Sequence, residues 1–310
     1  MRIAVVDIGT NSTRLLIADT GPGETLTELE RHSIVTRLGQ GVDHSGTLQP
    51  EAIERVFAAL AAYRERIDAQ DVQAVTAVLT SAVRDARNGA AFAAEVNARF
   101  ALGARTITGQ EEAALTFRGA TGGRADDPRR VVVIDVGGGS TELVCGVPGG
   151  PVDFHVSTQA GVVRQTERFL RRDPPDPDEL QALSAEAQEI FTGAVPEPVR
   201  AGVQAAIAVA GTATSCASIL QELDPYHPAR VDGYVVLLAE CDMLLARLAQ
   251  MTEAARREVT GLHPDRAPTI VAGLILLIEA LRAFGLEEFE VSEQDILRGA
   301  ALALAAASGG

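Results

Sequence analysis

The feature that most restricts how this chain can fold is a duplication inside it. Val6-Asp7-Ile8-Gly9-Thr10-Asn11-Ser12-Thr13-Arg14-Leu15-Leu16 lies without a gap on Ile134-Asp135-Val136-Gly137-Gly138-Gly139-Ser140-Thr141-Glu142-Leu143-Val144. The Asp, one Gly, the Ser, the Thr and one Leu are identical between the copies. Each copy reads as an apolar strand ending in Asp, a turn of small residues, and a second strand. A repeat period this long is a whole domain rather than a solenoid unit. The chain is therefore expected to be α/β, with two related domains whose similar turns face each other across a cleft.

The rest of the pattern is consistent with that plan. In the first half, strands are expected at 2–7, 14–19, within 25–36, at 72–79 and at 105–108. Helices are expected from Pro50 onward, at 88–100 and at 110–118. The segment 119–130, with Gly119, Gly122, Gly123, Asp126, Asp127 and Pro128, reads as the boundary. Strands then restart at 131–135, 142–147 and 152–156, with a Pro/Asp break at 173–177. A short strand at 207–210 enters a turn at Gly211, and helices follow at 234–251, 270–284 and 293–306. This gives domains at 1–124 and 125–310, with the last helix (about 293–307) packing back on the first.

Each turn offers a chemistry. A Gly/Ser/Thr turn between two strands exposes backbone N–H groups and hydroxyls, and such a concavity binds anions. The Asp before it can hold a divalent cation directly or through water. A single copy could be an ordinary β-turn; two copies in register argue for phosphate. Composition sharpens this. All 27 positive side chains are arginine, against 42 Asp and Glu, for a net charge of −15. Without lysine there is no Schiff base, P-loop lysine or lysine general base. Phosphate must be gripped by arginine, backbone N–H groups, hydroxyls or metal.

The acidity argues against nucleic acid as a partner. Residues 1–120 hold 12 Arg against 15 acids, and residues 121–310 hold 15 against 27, so the first half is less hostile to a polyanion. Cys145, Cys216 and Cys241 show no ligand spacing and read as buried thiols of a cytoplasmic protein. Asp7 follows the first apolar run too soon for a signal peptide. The apolar stretch 270–278 stops at Glu279, short of the roughly 20 residues of a membrane span.

The motifs together resemble a known family. Asp7-Ile8-Gly9-Thr10-Asn11-Ser12 and Asp135-Val136-Gly137-Gly138-Gly139-Ser140-Thr141-Glu142 look like the two phosphate motifs of the exopolyphosphatase and guanosine pentaphosphate phosphohydrolase (Ppx/GppA) family. The likeness extends to Thr80-Ser81-Ala82-Val83-Arg84-Asp85-Ala86 and Gly109-Gln110-Glu111-Glu112-Ala113. It continues through Ala210-Gly211-Thr212-Ala213-Thr214 and Ser292-Glu293-Gln294-Asp295-Ile296-Leu297-Arg298-Gly299. It covers nearly the whole chain, in order. The resemblance implies duplicated actin-like (ribonuclease H-like) domains of the actin, Hsp70 and sugar-kinase superfamily, in a short two-domain form. Longer members carry a further helical C-terminal region.

The resemblance also implies roles. Glu112 would be the base that deprotonates water, with Glu111 answering the helix dipole instead. Adjacent helix positions point about 100° apart, so only one of the pair should face a site. Asp135 and Glu142 would serve catalysis through Mg²⁺ and the attacking water, with Asp7 a weaker metal candidate. Arg84 would bind phosphate and neutralise charge on the reacting group. Gly9, Thr10, Asn11, Ser12, Thr13, Gly137, Gly138, Gly139, Ser140 and Thr141 would form the phosphate turns. Arg14 and Arg37 could extend the grip or be ordinary surface arginines. Gly211 and Thr212 would line the site or simply turn the chain from strand to helix.

The implied activity is Mg²⁺-dependent exopolyphosphatase action on inorganic polyphosphate, by a cytoplasmic homodimer. Hydrolysis of pppGpp to ppGpp, a non-catalytic sensor of polyphosphate or guanosine nucleotides, and a superfamily kinase are the alternatives. The Glu-Glu pair and the Gly-Gly-Gly-Ser-Thr-Glu turn argue against the kinase.

Overall fold

The computed structural model describes every residue except 22–24, 123, 125, 126, 309 and 310. Gly123 and Asp126 of the expected boundary segment lie outside the described residues. The chain divides into two compact units, Met1–Gly119 with Asp295–Gly310, and Ala120–Gln294.

The first unit is built on a five-stranded sheet. Its strands are β1 (Arg2–Ile8), β2 (Ser12–Thr20), β3 (Leu26–Val35), β4 (Ala74–Leu79) and β5 (Ala104–Thr106). Their order across the sheet is β3-β2-β1-β4-β5. β1 is antiparallel to β2 and parallel to β4. As the central strand it is apolar on both faces, which explains its unbroken run of buried residues from Ile3 to Ile8. One face packs Val6, Ile8, Leu15 and Ile17 against Val56, Phe57, Leu60 and Tyr63 of the helix Pro50–Ala69. That helix starts with proline at its first position, where the missing N–H costs nothing. The other face buries Ile3, Val5, Leu16 and Ala18 under Leu297, Ala300 and Ala301 of the last helix, Ile296–Ser308.

The second unit repeats the plan. Its strands are β6 (Val131–Val136), β7 (Thr141–Gly146), β8 (Val152–Thr158), β9 (Ala205–Val209), β10 (Val235–Leu237) and β11 (Glu288–Val291). The sheet order is β10-β11-β9-β6-β7-β8. Reading β6, β7, β8, β9 and β11 as counterparts of β1 to β5, order and direction agree strand for strand. The fold is thus α/β with two mixed sheets of one topology, and the sequence repeat marks the first hairpin of each. The helix Ile270–Phe284 is buried almost throughout, so its Leu/Ile run is core. Cys145, Cys216 and Cys241 are free and buried.

Two strands depart from the sequence expectation. The helix expected at 234–251 begins only at Leu238, because Val235–Leu237 pairs with β11 as an edge strand. Val235 and Leu237 face out while Val236 is buried, the period of a strand. Glu240 then accepts the Leu237 N–H at 2.9 Å and starts the helix. β11 itself, Glu288–Val291, lies between the helices expected at 270–284 and 293–306, where no element was expected. No helix among the described residues is long and apolar enough to cross a membrane.

Candidate active site

The two turns are the same object at atomic detail. Gly9 N–H donates to the Ser12 carbonyl at 3.0 Å, and Gly137 N–H to the Ser140 carbonyl at 2.9 Å. A Cβ at either glycine would sit 3.0 Å from that serine oxygen, so close that the backbone would have to give.

The turn carbonyls point backward into the protein. In the first unit the Thr10 carbonyl accepts from Gly39, and the Asn11 carbonyl from Thr36 and Arg37, at 2.8–3.0 Å. In the second, the carbonyls of Gly137 and Gly138 accept from Val162 and Val163 at 2.9 Å, and Gly139 accepts from Arg164 Nε at 2.9 Å. With their carbonyls so occupied, Thr10, Asn11, Gly138 and Gly139 keep N–H groups that no other described residue takes. Consecutive unpaired N–H groups are the donor set of an anion-binding nest.

The turn hydroxyls divide by use. Thr13 and Thr141 are fully buried and serve as braces. Thr13 Oγ1 shares a hydrogen bond with Thr36 Oγ1 at 3.0 Å, and Thr141 Oγ1 donates to the Ala160 carbonyl. Thr10 is a connector. Its Oγ1 shares a hydrogen bond with Ser81 Oγ at 2.8 Å and accepts the Ala82 N–H at 3.2 Å. That fixes the first turn to the short helix Ser81–Asp85, which carries Arg84.

Arg84 donates through Nη1 to Glu112 Oε2 at 2.8 Å and to the Ile107 carbonyl at 3.2 Å. Glu112 is buried near the start of the helix Gly109–Thr121. Burial pushes its carboxyl up, Arg84 pulls the other way, and Asp7 pushes it up further. Glu111 does the work of a cap. Its carboxylate accepts the Thr108 N–H at 3.1 Å while Thr108 Oγ1 accepts the Glu111 N–H at 3.2 Å, a reciprocal capping box. Arg37 adopts a left-handed backbone (φ 49°) with its amide on the Asn11 carbonyl, which places it at the first turn.

The residues at the strand ends show how the copies diverge. Asp7 pairs across the hairpin with Arg14, and Asp135 with Glu142. In the first unit this is an ion pair: Arg14 Nε and Nη2 donate to Asp7 Oδ2 at 2.9 and 2.6 Å. Arg14 Nη1 also binds Asp295. Burial pushes the Asp7 carboxyl up, and Arg14 opposes it. In the second unit the same register sets two buried carboxylates side by side. Glu142 Oε1 accepts from Ser157 Oγ at 2.8 Å, a contact that sequence reasoning missed although the β7–β8 register pairs the two residues.

Gly211 is the second residue of the helix Ala210–Leu220 that follows β9, after Ala210 with a left-handed backbone (φ 62°). The Arg266 guanidinium occupies the space a Cβ on Gly211 would fill, 1.4 Å from Nη1. Thr212 is buried against Gly273 of the helix Ile270–Phe284. The first unit therefore gathers Asp7, the first turn, Arg14, Arg37, Arg84 and Glu112. The second carries the second turn, Asp135, Glu142, Gly211 and Thr212. Among the described residues, no three His, Cys, Asp or Glu side chains converge as a preformed metal cluster.

Comparison with known proteins places this arrangement. The family model described as the Ppx/GppA phosphatase family matches residues 16–303. Exopolyphosphatase 2 of Mycobacterium tuberculosis is 38% identical over 316 residues, covering 98% of this chain and 98% of its own. The crystal structure of an exopolyphosphatase-like protein is 32% identical with a TM-score of 0.90, over 97% of this chain and 98% of that one. The Aquifex aeolicus member of the Ppx/GppA family is 27% identical with a TM-score of 0.82, over 100% and 99%. The chain belongs to the Ppx/GppA phosphatase family.

Proposed function

We propose that this member of the Ppx/GppA phosphatase family is an exopolyphosphatase, releasing the terminal orthophosphate of inorganic polyphosphate by direct attack of water with Mg²⁺ bound. The observation that carries the reading is the buried Glu112–Arg84 pair, linked through Ser81 and Ala82 to a turn with unpaired N–H donors. The choice of polyphosphate follows the 38% identical relative, named for that substrate.

Glu112 takes a proton from the attacking water. The water oxygen forms a bond to the terminal phosphorus while the bridging P–O bond breaks, leaving a chain one phosphate shorter. Arg84 holds the Glu112 carboxylate in place and opposes the rise in proton affinity that burial causes, favouring the ionised form a base needs. Within each unit the turn binds non-bridging phosphate oxygens, through the N–H groups of Thr10 and Asn11 in the first and of Gly138 and Gly139 in the second. Arg37 adds positive charge at the first turn.

Asp135 and Glu142 fit a divalent cation: two buried carboxylates on neighbouring strands are the kind of donor set Mg²⁺ uses alongside waters and substrate oxygens. Asp7, whose buried Oδ1 has no hydrogen-bond partner among the described residues, is the matching candidate in the first copy. When bound, Mg²⁺ supplies charge neutralisation on the phosphoryl oxygens.

Hydrolysis of pppGpp is the second reading, because the family description joins the names Ppx and GppA and pppGpp ends in the same phosphoanhydride. Orthophosphate release should be measured side by side from tripolyphosphate, long polyphosphate, pppGpp and ATP, with and without Mg²⁺. Mg²⁺-dependent release from polyphosphate is expected. Turnover of pppGpp alone would replace the substrate assignment, and no release from any of the four would overturn the enzymatic reading.

A further inference from the structure

The last helix does more than cover a sheet face. Asp295, immediately before it, is buried, and its two carboxylate oxygens have different tasks. Oδ1 accepts the Leu297 N–H at 3.0 Å, which caps the helix. Oδ2 accepts from Arg14 Nη1, and Arg31 Nη1 lies 3.9 Å from Oδ1. Arg14 in turn places both Nε and Nη2 on a single oxygen of Asp7, Oδ2. The other oxygen, Oδ1, is buried without a partner among the described residues. A buried carboxylate oxygen left unpaired is costly unless something else occupies it. Arg31 is itself paired with Glu28 at 2.9 Å, so three acids face two arginines and Arg14 is not a surplus cation.

Glycines hold the same helix against the one that carries Glu112. A Cβ on Gly299 would lie 1.8 Å from the Leu115 carbonyl oxygen, and one on Gly119 would lie 1.9 Å from the Asp295 carbonyl oxygen. Asp295 therefore stands where the last helix, the base-bearing helix and the Asp7 hairpin meet.

We infer that Asp295 is a positioning residue: by fixing Arg14 it locks Asp7 with Oδ2 engaged and Oδ1 presented to the reacting water or its cation. This rests on the phosphohydrolase reading. It differs from a phosphate-gripping role for Arg14, because the side chain is held by carboxylates on both sides.

The test uses variants that keep the cap. Asp295→Ser caps the helix but cannot reach Arg14, and Asp295→Asn caps it without the charge. With tripolyphosphate, Asp295→Ser is expected to lower kcat by about tenfold with KM within about twofold. Asp295→Asn should fall between Asp295→Ser and the unaltered protein. A serine variant with undiminished kcat would show that Asp295 only caps. A raised KM at constant kcat would show that it tunes substrate grip. Either result overturns the inference.

A double-mutant cycle of Asp7→Asn and Asp295→Asn, read by urea unfolding, judges the linkage without turnover. Non-additivity of about fivefold or more in the unfolding constant is expected, and additive effects would overturn the inference. If the unaltered protein hydrolyses no phosphoanhydride, the proposed function fails on its own and the cycle still decides the linkage.

Discussion

Glu112 is the residue whose environment says most about its work. A carboxylate buried this well would ordinarily stay protonated near neutrality, and the Arg84 hydrogen bond at 2.8 Å opposes that. In the proposed mechanism the base must be ionised, so kcat/KM should rise with pH along a limb set by Glu112. Removing Arg84 removes what lowers this pKa, so Arg84→Gln should move the limb to higher pH and reduce kcat. A pH–rate profile with the limb unmoved or moved down would contradict the pairing. Glu112→Gln should lose about 10²–10⁴-fold in kcat, the usual contribution of a general base. Much of this was legible in the sequence. Thr108 three residues before Glu111 is a capping-box spacing, and it leaves Glu112 to face elsewhere. The commitment of Arg14 to Asp295 was not legible, because 281 residues separate them and their local signals, a hairpin position and a helix cap, do not point to each other.

At the scale of elements, the duplicated hairpins could be read from sequence because their turn requires glycine at a fixed place and both copies follow it with Ser and Thr at the same spacing. The same reasoning failed for β10 and β11. Both are short, and apolar residues at 234–238 suit a helix start as well as an edge strand. The Glu-Phe-Glu-Val alternation of β11 carried the strand period, yet only the β9 edge beside it makes four residues worth pairing. Close contact between helices is equally silent in sequence until a glycine is seen against a carbonyl. Gly299 is such a case. Gly299→Ala would force Leu115, and with it the helix holding Glu112, to move away. The expected cost is about 1–3 kcal/mol of stability, as for other overpacked sites. Displacement of the base should lower kcat as well. Unchanged urea midpoint and unchanged kcat together would show that the two helices are not locked there.

Across the whole molecule, the net charge of −15 opposes any polyanionic substrate, and no lysine exists to soften it. In the proposed reading the turns answer with neutral N–H donors, which would attract phosphate only at contact distance. Arginine adds little free charge, since Arg14 is shared between two carboxylates and Arg84 is paired with Glu112. Attraction in this protein is therefore short-ranged, and repulsion is long-ranged. Salt separates the two, because screening weakens distant interactions first. The Debye length falls from about 30 Å at 0.01 M ionic strength to about 10 Å at 0.1 M. Over that interval the far field of the acidic surface should fade while contacts inside the turns persist. At fixed free Mg²⁺, kcat/KM for tripolyphosphate should then rise with added salt, with kcat nearly constant. A protein that steered its substrate with surplus arginine would show the opposite slope, since its long-range attraction would be screened. A steady fall in kcat/KM across this range would mean that the positive side chains near the first turn outweigh the surrounding acids.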